Sequence, residues 1–358
     1  MIKKNKQTIG ILGGGQLGQM LSNAAIELGY NTHIYSPDKN SPAFKNSTYQ
    51  TIGKFEDQKN IDEFINNVDL VTIEFENIPL STIEYISKLK PIYPPPHAIR
   101  ISQDRLLEKN FFIENKINTN SYMNVESLED LSRWNFDKKS VLKIRKFGYD
   151  GKGQKIISSY EEAKSAFISF KNYPCLIEEF IEYTKEVSTI SARDVHGNVY
   201  SYNPSENIHK NHILDRSFAP ALINEKLDME LKKISSKMIS QLEYIGILSI
   251  EFFVRINQQT NQEELIVNEI APRVHNSGHW TLDGADVSQF TQHIKAIIGT
   301  EISEPQLIFI TEMYNIIGDD IYYWSNIKRT ENKKIYIYGK DEPRKGRKMG
   351  HVNFISRN

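Results

Sequence analysis

The chain has 358 residues, of which 39 % are hydrophobic and 25 % charged, and a formal net charge of −1. That length admits two or three domains with sizeable cores, and that balance creates no global field for nucleic acid or an anionic membrane. A single cysteine, Cys175, excludes an internal disulfide and reads as a buried strand residue rather than a nucleophile. No run of about 18 apolar residues occurs, and MIKKNKQT leads straight into a strand, so a cytoplasmic protein with no membrane or nucleic-acid partner is expected.

Residues 8–12 form a short apolar strand, a helical run ends at Gly29, and a second strand follows at 31–35. Between the first strand and the helix, Gly13, Gly15 and Gly18 match G-x-G-x-x-G. Such a loop lets backbone N–H groups approach a phosphate at a helix N-terminus. A nicotinamide or flavin site is therefore one candidate, and plain helix–strand packing another. Asp38 is only a loose match to the acid that a dinucleotide binder places after its second strand. Strands at 49–52 and 69–73 and helices at 57–66 and 80–89 follow. The strand at 69–73 delivers Glu74, Phe75, Glu76 and Asn77 at its carboxyl end, where open parallel sheets bind ligands. Glu76 is placed there to accept from ribose hydroxyls, unless it is a solvated loop acid. The prolines within 91–96 read as a stiff extended connector closing a first domain.

Gln103-Asp104-Arg105 opens a helix to Lys116, and an arginine so near a helix start asks for an anionic partner. A strand at 140–146 puts Val141, Lys143 and Arg145 on one face. The turn Phe147-Gly148-Tyr149-Asp150-Gly151-Lys152-Gly153 leads into a strand at 154–158. It is either a flexible connection or a lid whose amides cover nucleotide phosphates above Lys143; no P-loop pattern is present. A helix at 160–170 precedes a strand at 174–180, which ends in Glu178-Glu179-Phe180-Ile181, with Glu186 on the next strand. A strand edge followed by an acid can hold an adenine through its backbone and a ribose through its carboxylate. After a strand at 198–203, His209 and His212 fall in a loop with no third metal ligand nearby. A long amphipathic helix spans 226–244.

Residues 249–276 then read as two strands, SIEFFVR and LIVNEIA, joined by a long polar loop. A hairpin symmetric about Thr260 sets Glu251 opposite Glu269 and Phe253 opposite Val267. Carboxylates so paired repel and call for a proton or a cation between them. Mg²⁺ fits, since it is held by one or two carboxylates plus phosphate oxygens, and Asn268 adds an oxygen or orients a phosphate. Two solvated acids on an exposed face, or another register, are the plainer alternative. Arg273, His275, Asn276 and His279 follow as an anion-binding set. A helix at 284–298, strands at 306–314 and 334–338 and a basic tail at 340–351 complete the chain; Arg347 offers bidentate phosphate contact there.

In this order, GILGGGQLGQM, QDRLLEK, GYDGKGQ, EEFIEYTKEVS, the acid pair, NEIAPRVHNSGH and GRKMGH resemble the ATP-grasp superfamily. Within it the chain is similar to the 5-(carboxyamino)imidazole ribonucleotide synthase family, over Gly10 to His351. The resemblance implies an α/β fold, α+β in its central part. A Rossmann-like preATP-grasp domain would cover 1–100, an ATP-grasp domain 101–298 with its lid at about 119–183, and a small β-rich domain 299–358. It implies a ligase in which bicarbonate attacks the γ-phosphoryl of ATP, and the carboxyphosphate formed carboxylates the amine of 5-aminoimidazole ribonucleotide. ATP contacts are implied for Arg105, Lys143, Gly148, Tyr149, Asp150, Gly151, Lys152, Gly153 and Gln154. They are implied also for Glu178, Glu179, Phe180, Ile181, Glu186, His209, Asn268 and Glu269. Mg²⁺ would sit on Glu251 and Glu269. Bicarbonate or carboxyphosphate would meet Arg273, His275 and Asn276, and the ribonucleotide would meet Gln16, Leu17, Glu76, Asp150, Arg273, Lys340 and Arg347. Catalysis would rest on Lys143, Asp150, Arg273, His275 and Asn276, in a homodimer. Two positions depart from the family pattern: Val274 stands where proline is usual, and Phe147 where glycine is common. The rival readings are a formate-using ATP-grasp enzyme and a nicotinamide-dependent oxidoreductase.

Overall fold

The computed structural model describes residues 6–148 and 151–357. Short β-branched runs build a first, five-stranded parallel sheet. Thr8–Leu12 is central, with Asn31–Ser36 and then Tyr49–Ile52 to one side and Leu70–Ile73 and then Ile92–Tyr93 to the other. The inner strands are buried on both faces, as helix-covered parallel strands must be. A second, antiparallel sheet runs in the order Tyr122–Val125, Cys175–Glu179, Ser140–Ile144, Gln154–Ile157. Ala163, Ala166 and Phe167 of helix Tyr160–Ser169 pack against it. Cys175 is fully buried there, and burial pushes its thiol up to about 12, so it behaves as a packing residue.

The largest sheet has nine strands, all paired antiparallel. From one edge they are Glu263–Ala271, Gly246–Ile256, Lys185–Arg193, Ser205–Lys210, Ile213–Ala219, Ile310–Ile317, Lys348–Ser356 and Lys333–Ile337, with Val199–Ser201 beside Lys185–Arg193. The strands after residue 300 thus extend the sheet that carries the acid pair.

Helices Gln16–Glu27 and Gln289–Ile298 lie between the first and the largest sheets. Leu17, Leu21 and Ala24 meet Phe290, Ile294 and Ile297 in one buried cluster that also takes in Ile190 and Ile247. Each of the leucine, isoleucine and phenylalanine side chains contributes about 1.5–3 kcal/mol on burial, so the spacing of the two sheets is firmly set. His293 adds a polar tie. Its Nδ1 accepts from Ile247 N–H at 3.0 Å, so Nε2 carries the proton and donates to Thr72 Oγ1 at 2.8 Å. Burial holds this imidazole neutral, with its pKa lowered to about 3.

Several elements differ from the sequence reading. The prolines are not an extended connector: Ile92–Tyr93 joins the first sheet, Pro95 caps a helix and Pro96 opens it, since proline's fixed φ suits a first helical turn. His209 is not in a loop; it lies on the strand Ser205–Lys210, whose polar residues concealed it. Lys348–Ser356 is a strand where only a basic tail is expected. The helix expected at 284–298 is a short turn of helix, Thr281–Gly284, and a separate helix, Gln289–Ile298. Among the described residues no helix is long and apolar enough to cross a membrane.

Replacing His293 by leucine strands a buried N–H and a buried hydroxyl, each costing about 1–3 kcal/mol. A loss of at least about 2 kcal/mol in urea unfolding is expected; His293→Gln, which can offer both a donor and an acceptor, should lose less.

Candidate active site

The lid sheet, the largest sheet and the carboxyl ends of the first sheet enclose a cleft of about 990 Å³. Helix Arg105–Glu114 forms its floor. Asp104 caps this helix by accepting from Leu106 N–H at 3.0 Å. The same carboxylate takes Arg145 Nε at 2.9 Å and Nη2 at 2.6 Å, tying the end of the lid strand to the helix start.

From that floor a buried row of alternating charges runs into the cleft. Lys109, 2 % exposed, donates to Thr119 Oγ1 and Asn120 Oδ1 at 2.8 Å and to the Asn268 carbonyl at 3.1 Å, and lies 3.5 Å from Glu178. Glu178 pairs on its other oxygen with Lys143. Burial would raise the Glu178 carboxyl, but Lys143 and Lys109 prevail and hold it at about 2. Its carboxylate is engaged by two lysines. Arg105 donates from Nη1 to Glu269 at 2.9 Å, so the anion it asked for lies within the chain. Glu108, one helical turn on, accepts from Ile270 N–H at 2.8 Å, and burial, then Glu269, pushes its carboxyl up to about 8.

Glu251 and Glu269 face one another across the hairpin, as expected. Beyond them the expected register fails: a bulge puts Val267 opposite Phe252 and Ile266 opposite Phe253. Thr119 pairs with Val267 from the far side, and its N-terminal neighbour Asn118 accepts from Val267 N–H at 2.9 Å, contacts that hold this stretch of strand in place. Burial and then the Glu269 charge raise the Glu251 carboxyl to about 7, whereas Arg105 and Lys143, against burial, hold Glu269 low. Both acids and Asn268 line the cleft and are oxygen donors of the type that hard divalent cations take. Among the described residues no group of three or more His, Cys, Asp or Glu is arranged to hold a metal. Two carboxylates that repel suit a cation that draws its other ligands from phosphate.

Further residues converge here. Arg273 forms a forked pair with Glu76, Nη2 lying 3.2 Å from Oε1, so Glu76 is an arginine partner. His275 Nδ1 contacts Ser277 Oγ at 2.8 Å and accepts from Ser277 N–H, which leaves the proton on Nε2, 3.3 Å from Glu251. Burial and the neighbouring Arg273 hold the ring neutral, far below its ordinary value. Asn276 exchanges amide hydrogen bonds with Asn315 at 3.0 and 2.5 Å. His209 Nδ1 lies 2.5 Å from Glu186, which Tyr183 also contacts. Glu179, Phe180 and Ile181 line the wall, as do Gly148, Gly151, Lys152 and Gln154. Gly153 packs against Ile144 in the same turn; Tyr149 and Asp150 lie outside the described residues.

The first sheet contributes Gln16 and Leu17 to the wall. The glycine loop itself is already occupied. Gly15 and Gly18 donate their N–H groups to Glu74, the latter at 2.8 Å. A Cβ at Gly13 would lie 2.2 Å from Glu74 Cγ, and one at Gly15 would lie 2.7 Å from Oε1. The glycines make room for an internal carboxylate, which removes the physical basis of the nicotinamide reading. Of the tail residues, Lys340 donates to the Lys348 carbonyl at 2.7 Å and lies near Glu74, while Arg347 donates to the Glu342 carbonyl at 2.9 Å. Lys348 lines the cleft instead. Val274 is fully buried in the core with Trp280 and Phe290, which anchors the turn without proline. Phe147 adopts φ 65, a conformation costing a side chain about 1–2 kcal/mol.

Sequence reasoning named Glu74 without giving it a role and passed over Glu108, Lys109 and Lys348. Glu74 was signalled by its position two residues before Glu76 at the end of an apolar strand. Glu108 and Lys109 stood inside QDRLLEK.

A nucleotide-sized cleft clasped between an antiparallel lid and a larger sheet, lined by lysines and paired acids, defines the ATP-grasp class. An ATP-grasp domain family matches residues 110–290, a ribonucleotide synthetase preATP-grasp domain 6–103 and a phosphoribosylaminoimidazole carboxylase C-terminal domain 311–358. The N5-carboxyaminoimidazole ribonucleotide synthase of Brucella melitensis is 40 % identical over 356 residues, 98 % of this chain and 97 % of that one. The Bacillus subtilis protein of the same name is 33 % identical, over 97 % and 91 %. A solved N5-carboxyaminoimidazole ribonucleotide synthetase in complex with ADP superposes with a TM-score of 0.92 at 35 % identity, covering 98 % of this chain and 93 % of that one. The Staphylococcus aureus enzyme with ADP gives 0.89 at 31 %, covering 99 % and 95 %. The chain belongs to the N5-carboxyaminoimidazole ribonucleotide synthase family.

An acid whose folded pKa is raised costs stability once the unfolded chain ionises and the folded one does not. For Glu108 stability therefore falls as pH rises from about 4.5 to about 8, then levels off. Glu108→Gln keeps an acceptor for Ile270 N–H and cannot ionise. Thermal midpoints of ligand-free parent and variant, compared across that range so that other groups cancel, should show a shallower fall in the variant; parallel curves would mean Glu108 ionises normally.

Proposed function

We propose that the protein joins the carboxyl group of bicarbonate to the exocyclic amine of 5-aminoimidazole ribonucleotide, with ATP converted to ADP and phosphate. The observation that carries this reading is the buried row Lys109–Glu178–Lys143 and the half-buried pair Arg105–Glu269 beside Glu251, in a cleft open to both the lid and the first sheet. Phosphoryl transfer demands positioned charge more than covalent help, and that row supplies it.

A bicarbonate oxygen attacks the γ-phosphorus, the bond to the ADP oxygen breaks, and carboxyphosphate forms. The amine then attacks the carboxyl carbon, phosphate leaves, and the amine gives up a proton. Lys143 and Arg105 neutralise phosphate oxygens, and the turn at 148–154, Asp150 included, covers them. The backbone of Glu179–Ile181 meets the adenine, with Glu186 and His209 at the ribose. Arg273 and the Nε2–H of neutral His275 hold bicarbonate and then carboxyphosphate, and Asn276, fixed by Asn315, orients that wall. Gln16, Leu17, Glu76, Lys340 and Arg347 serve the ribonucleotide. Glu251 and Glu269 would hold Mg²⁺, which supplies charge neutralisation on the triphosphate when bound. The domain limits at residues 100 and 298 and a cytoplasmic homodimer complete the proposal.

ADP release is expected to require bicarbonate, with no response to formate, and 5-aminoimidazole ribonucleotide should be consumed in equal amount. Bicarbonate-independent or formate-driven turnover would refute the assignment. Glu269→Gln should lower turnover at least about 10²-fold, the scale of one lost electrostatic stabiliser, with the thermal midpoint little changed; near-parental turnover would count against the metal site.

A further inference from the structure

A histidine stands where a hairpin turn favours glycine. Lys210 pairs with Ile213, leaving Asn211 and His212 as a two-residue turn with φ 51 and 63. Such turns favour Asn-Gly; Asn211 suits its place, and His212 fits its own less well than glycine would. His212 is exposed, so no demand of the core explains it. Its side chain packs instead on the lid turn: a Cβ added at Gly151 would lie 2.5 Å from His212 Cβ and 2.7 Å from Cγ. Gly151, at φ 74, leaves that space open. Both residues line the cleft, and His212 lies on the hairpin that presents His209 to Glu186.

We propose that His212 is a positioning residue that seats the Gly151 turn on the cleft rim and so keeps water from the reacting phosphate. The inference rests on the reaction proposed above. With the seat lost, water splits carboxyphosphate into bicarbonate and phosphate, and ATP is hydrolysed without carboxylated product. Enclosure of a labile intermediate is a recognised task of lids.

His212→Gly removes the contact and relieves the turn, so its thermal midpoint should equal or exceed the parent's. ADP formed per carboxylated ribonucleotide should rise at least about twofold, and KM for ATP about three- to tenfold, with kcat for ADP release within about twofold. His212→Asn tolerates the left-handed turn and should restore part of the coupling. An unchanged ratio and KM would overturn the proposal. So would a fall in thermal midpoint, which would assign His212 to the hairpin's own stability. The parent's turnover with both substrates tests the reaction itself, and the variant-to-parent comparison tests the seat. If the parent proves not to carboxylate the ribonucleotide, the KM for ATP and the thermal midpoint still decide the seat.

Discussion

The whole cleft depends on keeping charges out of water without leaving any alone. Lys109, Glu178 and Lys143 form one run and Arg105 and Glu269 another, and each ion sits against its opposite. In the Lys109–Glu178–Lys143 run, desolvating one ion costs several kcal/mol and removing one partner about 3–5 kcal/mol, whereas the Arg105–Glu269 pair is partly open to water and is worth less. The pairs also join separate parts of the chain: helix Arg105–Glu114, the lid strands Ser140–Ile144 and Cys175–Glu179, and the strand Glu263–Ala271. The electrostatics that suit a triphosphate are therefore the same contacts that dock the lid on its base. The row is not balanced at every point. Among the described residues Glu251 has no full cationic partner, and its raised carboxyl marks where positive charge is wanted.

The first sheet solves a similar problem with an internal anion. At the start of helix Gln16–Glu27 the free N–H groups would attract a phosphate, and Glu74 takes them. The loop can then hold a fixed shape with no ligand present, and Gln16 and Leu17 are directed to the cleft wall by that shape. Burial raises the Glu74 carboxyl even though two N–H groups, Lys340 and Arg273 favour its charge. The glycine spacing therefore records the width of a carboxylate side chain.

What the sequence made legible was what repeats locally. Strand alternation with a hairpin placed Glu251 against Glu269, and Val141 and Lys143 on the cleft face, because both follow from a period of two. Ser205–Lys210 and Lys348–Ser356 escaped because their residues answer to a cleft or a charged rim, and so break the apolar pattern. The engagement of Glu76 by Arg273, of Glu178 by two lysines, and of Asn276 by Asn315 was also hidden. Those partners lie between 35 and 197 residues apart, and only the folded chain brings them together.

The bulge after Glu251 shows how a local irregularity completes the site. In a regular strand, Asn268 and Glu269 would point to opposite faces. Setting Phe252 against Val267 leaves Asn268 as the extra residue, so that two consecutive residues oppose one. Asn268 and Glu269 can then both line the cleft, while Val267 and Phe252 stay in the core. The carbonyl of that extra residue would otherwise lose its ladder partner, and Lys109 supplies one. One lysine thus satisfies the bulge and pairs Glu178. The geometry of the oxygen donors and, together with Lys143, the charge state of the lid's Glu178 depend on the same buried lysine.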